Sequence, residues 1–150
     1  VFADLRKTRP GTEVIDLFEI LLYYPSLRVR LKSGYYFKEP IPAFQLHGTK
    51  GSFIKTRSDR QEVDLDKGHV PMGENWGVDA VSENGLLHVD GNSPERIPTE
   101  KGNYMAFYEN VYQSLREGAH PAVPGEDGIA SMRVIDAAYE SLEKQAVIAY

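Results

Sequence analysis

The stretch FQLHGTKGSFIK, residues 44–55, places two glycines and a lysine between two apolar runs. A phosphate-binding loop has four residues between its glycines and then Gly-Lys-Ser or Gly-Lys-Thr, whereas Gly48 and Gly51 enclose only Thr49 and Lys50. The flanking runs read as strands, so the stretch favours a tight turn in which the glycines tolerate positive φ and Lys50 points to solvent. We therefore predict a β-hairpin here and not a nucleotide-binding loop.

Strand patterns extend on both sides of this hairpin. Residues 14–22 form a run that is apolar on both faces, as in a central strand. The strand that follows alternates apolar and cationic side chains, which places the cations on one face of the sheet. Those cations are Arg28, Arg30 and Lys32. Further strands are predicted at about 41–47, 52–56, 86–89 and 96–97.

Helical patterns follow the strands. The stretch SDRQEVDLDKG, residues 58–68, can form a short helix capped by Ser58 or Asp59, and an irregular loop rich in Gly, Pro and Asn comes after it. Longer helices are predicted at about 103–117, with Gly118 as the stop, and at about 126–144; residues 146–150 could add a last strand. This order predicts one α+β domain over 1–150, with an open, mostly antiparallel β-sheet and helices packed on one face.

Composition narrows the class of protein. The chain has 150 residues, a net charge of -5 and no cysteine. An acidic chain has no general attraction for nucleic acid or anionic membrane, and the lack of cysteine removes thiolate chemistry and suits a reducing compartment. No apolar run is long enough to cross a bilayer. We expect no nucleic-acid or membrane partner and a cytoplasmic location.

No catalytic motif is visible. The four histidines show no metal-ligand spacing, and no Gly-x-Ser-x-Gly elbow is present. The acidic segment at residues 64–69 is typical of a solvated face. A hydrolase or metal enzyme built from His47, His69 or His88 stays a third possibility without support from spacing. We predict no catalytic, cofactor-binding or metal-binding residue from the motifs.

The cationic stripe could bind an anionic substrate, but two other readings compete with this one. Such a face is most often solvated or paired with carboxylates on neighbouring strands, for which Asp4, Asp16 and Glu19 are candidates. The second reading is a homodimer interface, which nearby tyrosines favour because amphipathic rings are common at contacts. The candidate interface residues are Arg28, Arg30, Lys32, Phe18 and Tyr36.

Five segments in order carry a family resemblance: PAFQLHGTKGSFIK, DRQEVDL, ENWGVD, GNYMAFYENVYQSLREGAHPAV and EDGIASMRVIDAAYESLEKQAVI. Together they resemble the C-terminal domain of the Gfo/Idh/MocA oxidoreductases, the family of glucose-fructose oxidoreductase and inositol dehydrogenase, and most closely its sugar or scyllo-inositol dehydrogenase branch. The resemblance runs from about residue 2 to 148. It implies an N-terminal Rossmann domain that binds NAD or NADP and is absent from this chain.

The family's acid/base motifs are also absent. Its members carry Glu-Lys-Pro at the end of the Rossmann domain and Asp-x-x-x-His at the start of the second domain. Residues 38–40 read KEP, in the wrong order, and none of the histidines follows an Asp by four positions. The chain therefore reads as a domain cut from a longer protein, and no catalytic residue is carried over.

The resemblance implies hydride transfer between a sugar or polyol carbon and a nicotinamide ring in the whole protein. For this domain it implies shaping of the substrate pocket and dimerisation through the sheet face, with no activity in isolation. Alternatively, the chain is a free-standing binding or scaffold module that uses the sheet face for association. Aromatic and polar side chains in the loop and the second helix could line the pocket, although plain packing also explains them. These candidates are Trp76, Asn103, Tyr104 and Tyr108.

Overall fold

Seven strands and three α-helices make up the described part of the chain, residues 1–39 and 41–150, in a computed structural model. Pro40, the last residue of the KEP triplet, lies outside the described residues. In chain order the elements are β1 (Phe2–Arg6), β2 (Leu17–Tyr23), β3 (Arg28–Gly34), β4 (Phe44–Gly48), β5 (Gly51–Lys55), α1 (Arg60–Asp66), β6 (Gly85–Val89), β7 (Glu95–Ile97), α2 (Tyr104–Glu117) and α3 (Gly125–Lys144).

The elements fall into two compact units. Unit 1 comprises Val1–Lys38 and Ala122–Tyr150 and holds β1 to β3 with α3; unit 2 comprises Glu39–Pro121 and holds β4 to β7 with α1 and α2. Each unit has its own sheet, and every strand pair is antiparallel. The predicted α+β class is confirmed, with the strands divided between two sheets. A single domain over 1–150 stays a prediction.

Unit 1 buries its core between the sheet and α3. Ala3 and Leu5 alternate inward along β1 and pack with Leu22 against Ala137 and Ala138. Strand β2 is central, as predicted, but it begins at Leu17 rather than at Val14. The preceding residues belong to the loop after β1, where the carboxylate of Asp16 is committed to hydrogen bonds.

One buried hydroxyl fastens α3 to the sheet. Ser141 is fully buried; its Oγ accepts a hydrogen bond from the Ala3 amide at 3.1 Å and donates to the Ala146 carbonyl at 2.7 Å. We expect Ser141→Ala to lower the free energy of unfolding by about 1–3 kcal/mol, because it leaves a buried amide without an acceptor. Chemical denaturation measures this, and the exposed Ser131→Ala on the same helix should change it by less than about 0.5 kcal/mol. Equal effects would contradict the assigned role.

The loop before β2 is held by Asp16. Its side chain accepts hydrogen bonds from the amides of Thr8 and Arg9, from the Thr8 hydroxyl and from Arg9 Nε. Burial alone would raise the pKa of Asp16, but these bonds together outweigh it and hold the pKa far below its usual range. Arg9 also stacks over the Tyr35 ring, 4.2 Å from its centroid.

A pH dependence follows from this depressed pKa. The stabilisation by Asp16 is complete above the pKa of an unfolded Asp, near 4, and is lost as the pH falls towards the folded pKa. Asp16→Asn should therefore be less stable than wild type at pH 6, and the gap should narrow towards pH 3. Thermal unfolding across that range measures the gap, with Asp136→Asn on α3 as the substitution control. A gap that is constant with pH would refute the assignment.

The opening stretch forms the predicted hairpin. Strands β4 and β5 pair through a two-residue turn at Thr49 and Lys50, and unit 2 continues in the order β4-β5-β6-β7. The expectation of positive φ at Gly48 and Gly51 is wrong, since neither has it. Glycine is needed at position 51 because the backbone of β6 comes close there: a Cβ on residue 51 would lie 2.5 Å from the His88 carbonyl oxygen.

Capping residues mark the ends of α1 and α2. Asp59 caps α1, Asn103 caps α2, and Gly118 ends α2 with φ of 70°. The strand predicted for residues 146–150 is not formed. Among these residues only Ile148 exchanges backbone hydrogen bonds, and its partner is Val1. One residue pair is too short to form a strand.

Candidate functional site

A buried glutamine joins three segments of unit 2. Gln61, on α1, is 3% exposed. Its Oε1 accepts a hydrogen bond from Trp76 Nε1 at 3.2 Å and another from the Tyr104 amide at 2.9 Å. The first helix, the loop after it and the start of α2 therefore meet at one carbonyl oxygen.

Two glycines make room for this side chain. A Cβ on Gly77 would lie 2.5 Å from the Gly102 carbonyl oxygen, and a Cβ on Gly102 would lie 2.4 Å from Gln61 Nε2. The two backbones are joined by a hydrogen bond from the Gly102 amide to the Gly77 carbonyl at 3.2 Å. Side chains at either position would separate the loop from the start of α2.

The hydroxyl of Tyr104 is fixed by an acidic partner. It donates a hydrogen bond to the Asp59 carboxylate, which also caps α1 by accepting from the amides of Gln61 and Glu62. The hydrogen bond to Asp59 raises the pKa of Tyr104 to about 12. The phenol is therefore protonated at neutral pH and acts as a hydrogen-bond donor, not as a base.

Two cavities lie in this part of unit 2. The larger has a volume of about 620 Å³ and the smaller about 240 Å³, and Arg60 lines both. Only the larger falls within the size range usual for small-molecule sites, roughly 300–1,000 Å³. Its lining consists of Arg60, Asp64, His69, Val70, Met72, Gly73, Glu74, Asn75, Trp76 and Val78.

A carboxylate forms part of the wall of the larger cavity. Asp64 is 8% exposed; Arg60 Nε donates to its Oδ2 at 2.9 Å, and His69 Nδ1 lies 3.5 Å from its Oδ1. The hydrogen bond from Arg60 lowers the pKa of Asp64. The Oδ1 atom is buried and has no hydrogen-bond partner among the described residues.

A second polar cluster supports the loop from the side of the sheet. Lys55 Nζ, near the end of β5, donates to Ser58 Oγ at 2.9 Å and to the Glu83 carbonyl at 3.0 Å. The Ser58 hydroxyl donates to Asp79, whose carboxylate lies 3.9 Å from Lys55 Nζ. The lysine and the carboxylate are both engaged with neighbours, and the cluster joins the end of β5 to Ser58, Asp79 and Glu83.

The predicted pocket residues are placed unequally. Trp76 lines the larger cavity, and Asn103 and Tyr104 line the smaller one, where the Asn103 side chain caps α2 by accepting from Ala106. Tyr108 is 62% exposed and lines neither cavity. Sequence reasoning missed Gln61, although it lies in DRQEVDL; the glycines beside Trp76 and Tyr104 were the signal that a close approach occurs there.

The predicted interface residues do not share one face. Arg30 and Lys32 both contact Glu19, with nitrogen to oxygen distances of 2.7 Å and 3.4 Å, as expected for a paired stripe. Arg28 lies over the Tyr23 ring. Phe18 packs against the core of unit 1, because the register sets it opposite Leu5, on the face that α3 covers. Tyr36 is exposed after β3 and stacks edge-on with Tyr35.

Two of the histidines contact neighbouring polar groups. His47 contacts Ser52 at 2.9 Å and His120 contacts the Pro121 carbonyl at 2.8 Å. In the described ranges, no group of three or more His, Asp or Glu side chains could hold a metal ion. Across the same residues, no helix has the length and apolar character needed to cross a membrane.

The residues of this chain do not fit a dinucleotide. The usual dinucleotide site lies at the carboxyl ends of parallel strands, with a glycine-rich turn leading into a helix. Both sheets here are antiparallel, and the sequence has no Gly-x-Gly-x-x-Gly. The described residues therefore lack this usual form of dinucleotide site.

Comparison with known proteins defines the class. Residues 1–149 match the family described as "Oxidoreductase family, C-terminal alpha/beta domain", GFO_IDH_MocA_C. The chain therefore belongs to the Gfo/Idh/MocA oxidoreductase family, and the resemblance noted in the sequence is confirmed. Members of this family generally use NAD or NADP.

Individual relatives support the same family assignment. The chain is 35% identical to scyllo-inositol 2-dehydrogenase (NADP(+)) IolW of Bacillus subtilis, a match that covers 99% of this chain and 42% of IolW. It is 31% identical to the uncharacterised oxidoreductase YdgJ of Escherichia coli, over 97% of this chain and 42% of YdgJ. The solved structure of yvaA, a proposed oxidoreductase of Bacillus subtilis, superposes with a TM-score of 0.92 at 34% identity, over 99% of this chain and 44% of that one. The chain thus spans less than half the length of these relatives and corresponds to their C-terminal domain.

Proposed function

We propose that this chain is the substrate domain of an NAD(P)-dependent oxidoreductase that acts on a sugar or an inositol-like polyol. The observation that carries the proposal is the Trp76–Gln61–Tyr104 network beside the larger cavity, in a chain of this family. An indole held by its N–H, with hydrogen-bonding side chains around it, suits a ring that presents both C–H and hydroxyl groups. The relative IolW, named for scyllo-inositol, sets the first substrate to try.

The domain's task is binding and orientation. It would hold the polyol, while the cofactor and the acid/base groups would come from the rest of the polypeptide. The 150 residues alone should accordingly show no turnover. A cytoplasmic location, predicted from composition, is part of the same proposal.

Steady-state kinetics of the natural full-length protein tests the proposal. The substrates are scyllo-inositol, myo-inositol and D-glucose, each with NAD⁺ and NADP⁺. We expect reduction of one cofactor, and Trp76→Leu should raise KM for the polyol by about tenfold with the cofactor KM unchanged. Phe107→Leu, an exposed aromatic that lines neither cavity, is the matched control. Absence of turnover with every pair would reject the proposal and favour the scaffold alternative.

Dimerisation through the sheet of unit 1 is the second part of the proposal. Its surface is the face opposite α3, where Arg30 and Lys32 neighbour Glu19 and where Phe2, Leu21 and Tyr23 add apolar area. Mixed apolar and paired charged groups are compatible with a symmetric contact. Phe18 is left out because it packs in the core.

Arg30→Glu tests this surface. It places a second carboxylate beside Glu19, so we expect the full-length protein to shift towards monomer in light scattering, with a weaker shift in high salt. Lys144→Glu, on an exposed part of α3, carries the same charge change away from the surface. An unchanged mass for Arg30→Glu would place the interface elsewhere.

A further inference from the structure

We infer that His69 is a substrate-contacting residue of this domain and that Asp64 positions it. The inference rests on the proposed function and adds to it a residue that none of the sequence motifs indicated. Both side chains line the larger cavity together with Trp76. The ligand class is a neutral polyhydroxylated molecule of monosaccharide size.

The orientation of the imidazole follows from its neighbour. His69 Nδ1 lies 3.5 Å from Asp64 Oδ1, and the His69 amide donates to the Asp64 carbonyl at 2.9 Å, which fixes the chain beside the carboxylate. With Nδ1 towards Asp64, Nε2 occupies the opposite edge of the ring. The His69 side chain is 59% exposed and lines the larger cavity, which leaves room for a hydroxyl group beside the ring.

The state of Asp64 supports a role beyond packing. Asp64 is 8% exposed as a residue and 12% exposed at its side chain, and Arg60 occupies only its Oδ2. Its Oδ1 has no hydrogen-bond partner among the described residues, and 3.5 Å to His69 is too long for a good hydrogen bond. Hydrogen bonds in ligand-free catalytic sites are often long and tighten only when the substrate is bound. We therefore expect the distance between Asp64 and His69 to shorten when a substrate hydroxyl binds to Nε2.

The charges of the lining favour a neutral ligand. The guanidinium of Arg60 is paired with Asp64, and Glu74 contributes a further carboxylate, so the wall offers no excess of cations for a phosphate or carboxylate. His69, Asn75 and Glu74 supply the mixture of donors and acceptors that hydroxyl groups require. The indole of Trp76, held at its N–H by Gln61, contributes an apolar wall.

Kinetics of the full-length protein with its best polyol from the panel above tests the inference. His69→Leu should raise KM for the polyol by about tenfold, with KM for the cofactor within about twofold of wild type. His69→Gln, which can still offer an amide near the position of Nε2, should recover part of this loss. His47→Leu, whose residue lies on β4 and lines neither cavity, is the control.

Asp64→Asn tests the positioning role. It should raise the polyol KM by less than His69→Leu, and the double variant should be no worse than His69→Leu alone, because the two changes remove one interaction. Thermal unfolding of each variant confirms folding, and His69→Gln replaces His69→Leu if the latter unfolds. Additive effects would overturn the role of Asp64.

The outcomes separate the two proposals. A polyol KM within twofold of wild type in folded His69 variants, with wild-type turnover intact, overturns the role of His69 and leaves the proposed function standing. A wild type that oxidises none of the polyols overturns both. A selective rise in polyol KM that His47→Leu does not share supports both.

Discussion

Gly77→Ala should destabilise unit 2 by about 2–5 kcal/mol. Gly77 has φ of 73°, where a side chain clashes with its own backbone, and a Cβ there would lie 2.5 Å from the Gly102 carbonyl oxygen and 3.2 Å from the Gln61 side chain. Because the first of these neighbours is backbone in a hydrogen-bonded pair, it cannot move aside without breaking the contact between the loop and α2. Urea denaturation of the full-length protein, followed by tryptophan fluorescence, measures the loss.

Gly68→Ala separates the two causes. Gly68 lies in the same loop with φ of 77°, but nothing lies within 4 Å of the added Cβ. It should cost about 1–2 kcal/mol, the cost of a left-handed residue alone. Equal losses in the two variants would show that the close approach at Gly77 contributes nothing.

Gln61→Leu should have the second largest effect, a loss of about 2–4 kcal/mol. Leucine has nearly the same volume but no acceptor, so the Trp76 indole N–H and the Tyr104 amide lose their common partner. We also expect a shift in the Trp76 emission and a rise in the polyol KM, because Trp76 lines the larger cavity. Denaturation, fluorescence and kinetics on one preparation measure the three effects.

Gln45→Leu is the matched control for this prediction. Gln45 lies exposed on β4, and the same change there should alter stability by less than about 0.5 kcal/mol. A loss of stability for Gln61→Leu as small as that for Gln45→Leu would show that the three segments do not depend on Gln61.

Local signals in the sequence predicted most elements of the fold. The two-residue turn at Thr49 and Lys50, the Asp59 cap of α1 and the Gly118 end of α2 depend on a few neighbouring residues, so their positions were predictable. The start of β2 was not, because Val14 and Ile15 are as apolar as the strand itself, and only the hydrogen bonds of Asp16 show that the loop continues there.

The apolar stripe of α2 shows how periodicity can mislead about burial. Its aromatic residues fall at helical spacing, yet no residue of the helix is buried in this chain, and Phe107 and Tyr108 are both more than half exposed. A periodic pattern predicts a helix and one apolar face, but it does not identify what covers that face. Tyr108 lies on this stripe, and its contact with a substrate stays a prediction.

The site itself depends on contacts between distant segments. Gln61 and Tyr104 are 43 positions apart, and no local rule pairs a helical glutamine with a tryptophan in a loop. In the sequence, His69 is one of three histidines of a possible hydrolase or metal site that ligand spacing does not support. The three-dimensional arrangement shows that its neighbour is a buried carboxylate in the wall of a cavity.

The most direct test of the central claim is a crystal structure of the natural full-length protein with its best polyol and the oxidised cofactor bound. Our account predicts polyol density in van der Waals contact with the Trp76 ring, with a hydroxyl within hydrogen-bond distance of His69 Nε2. A polyol bound in the same crystal with no contact to any residue of unit 2 would contradict the claim that this domain shapes the substrate pocket.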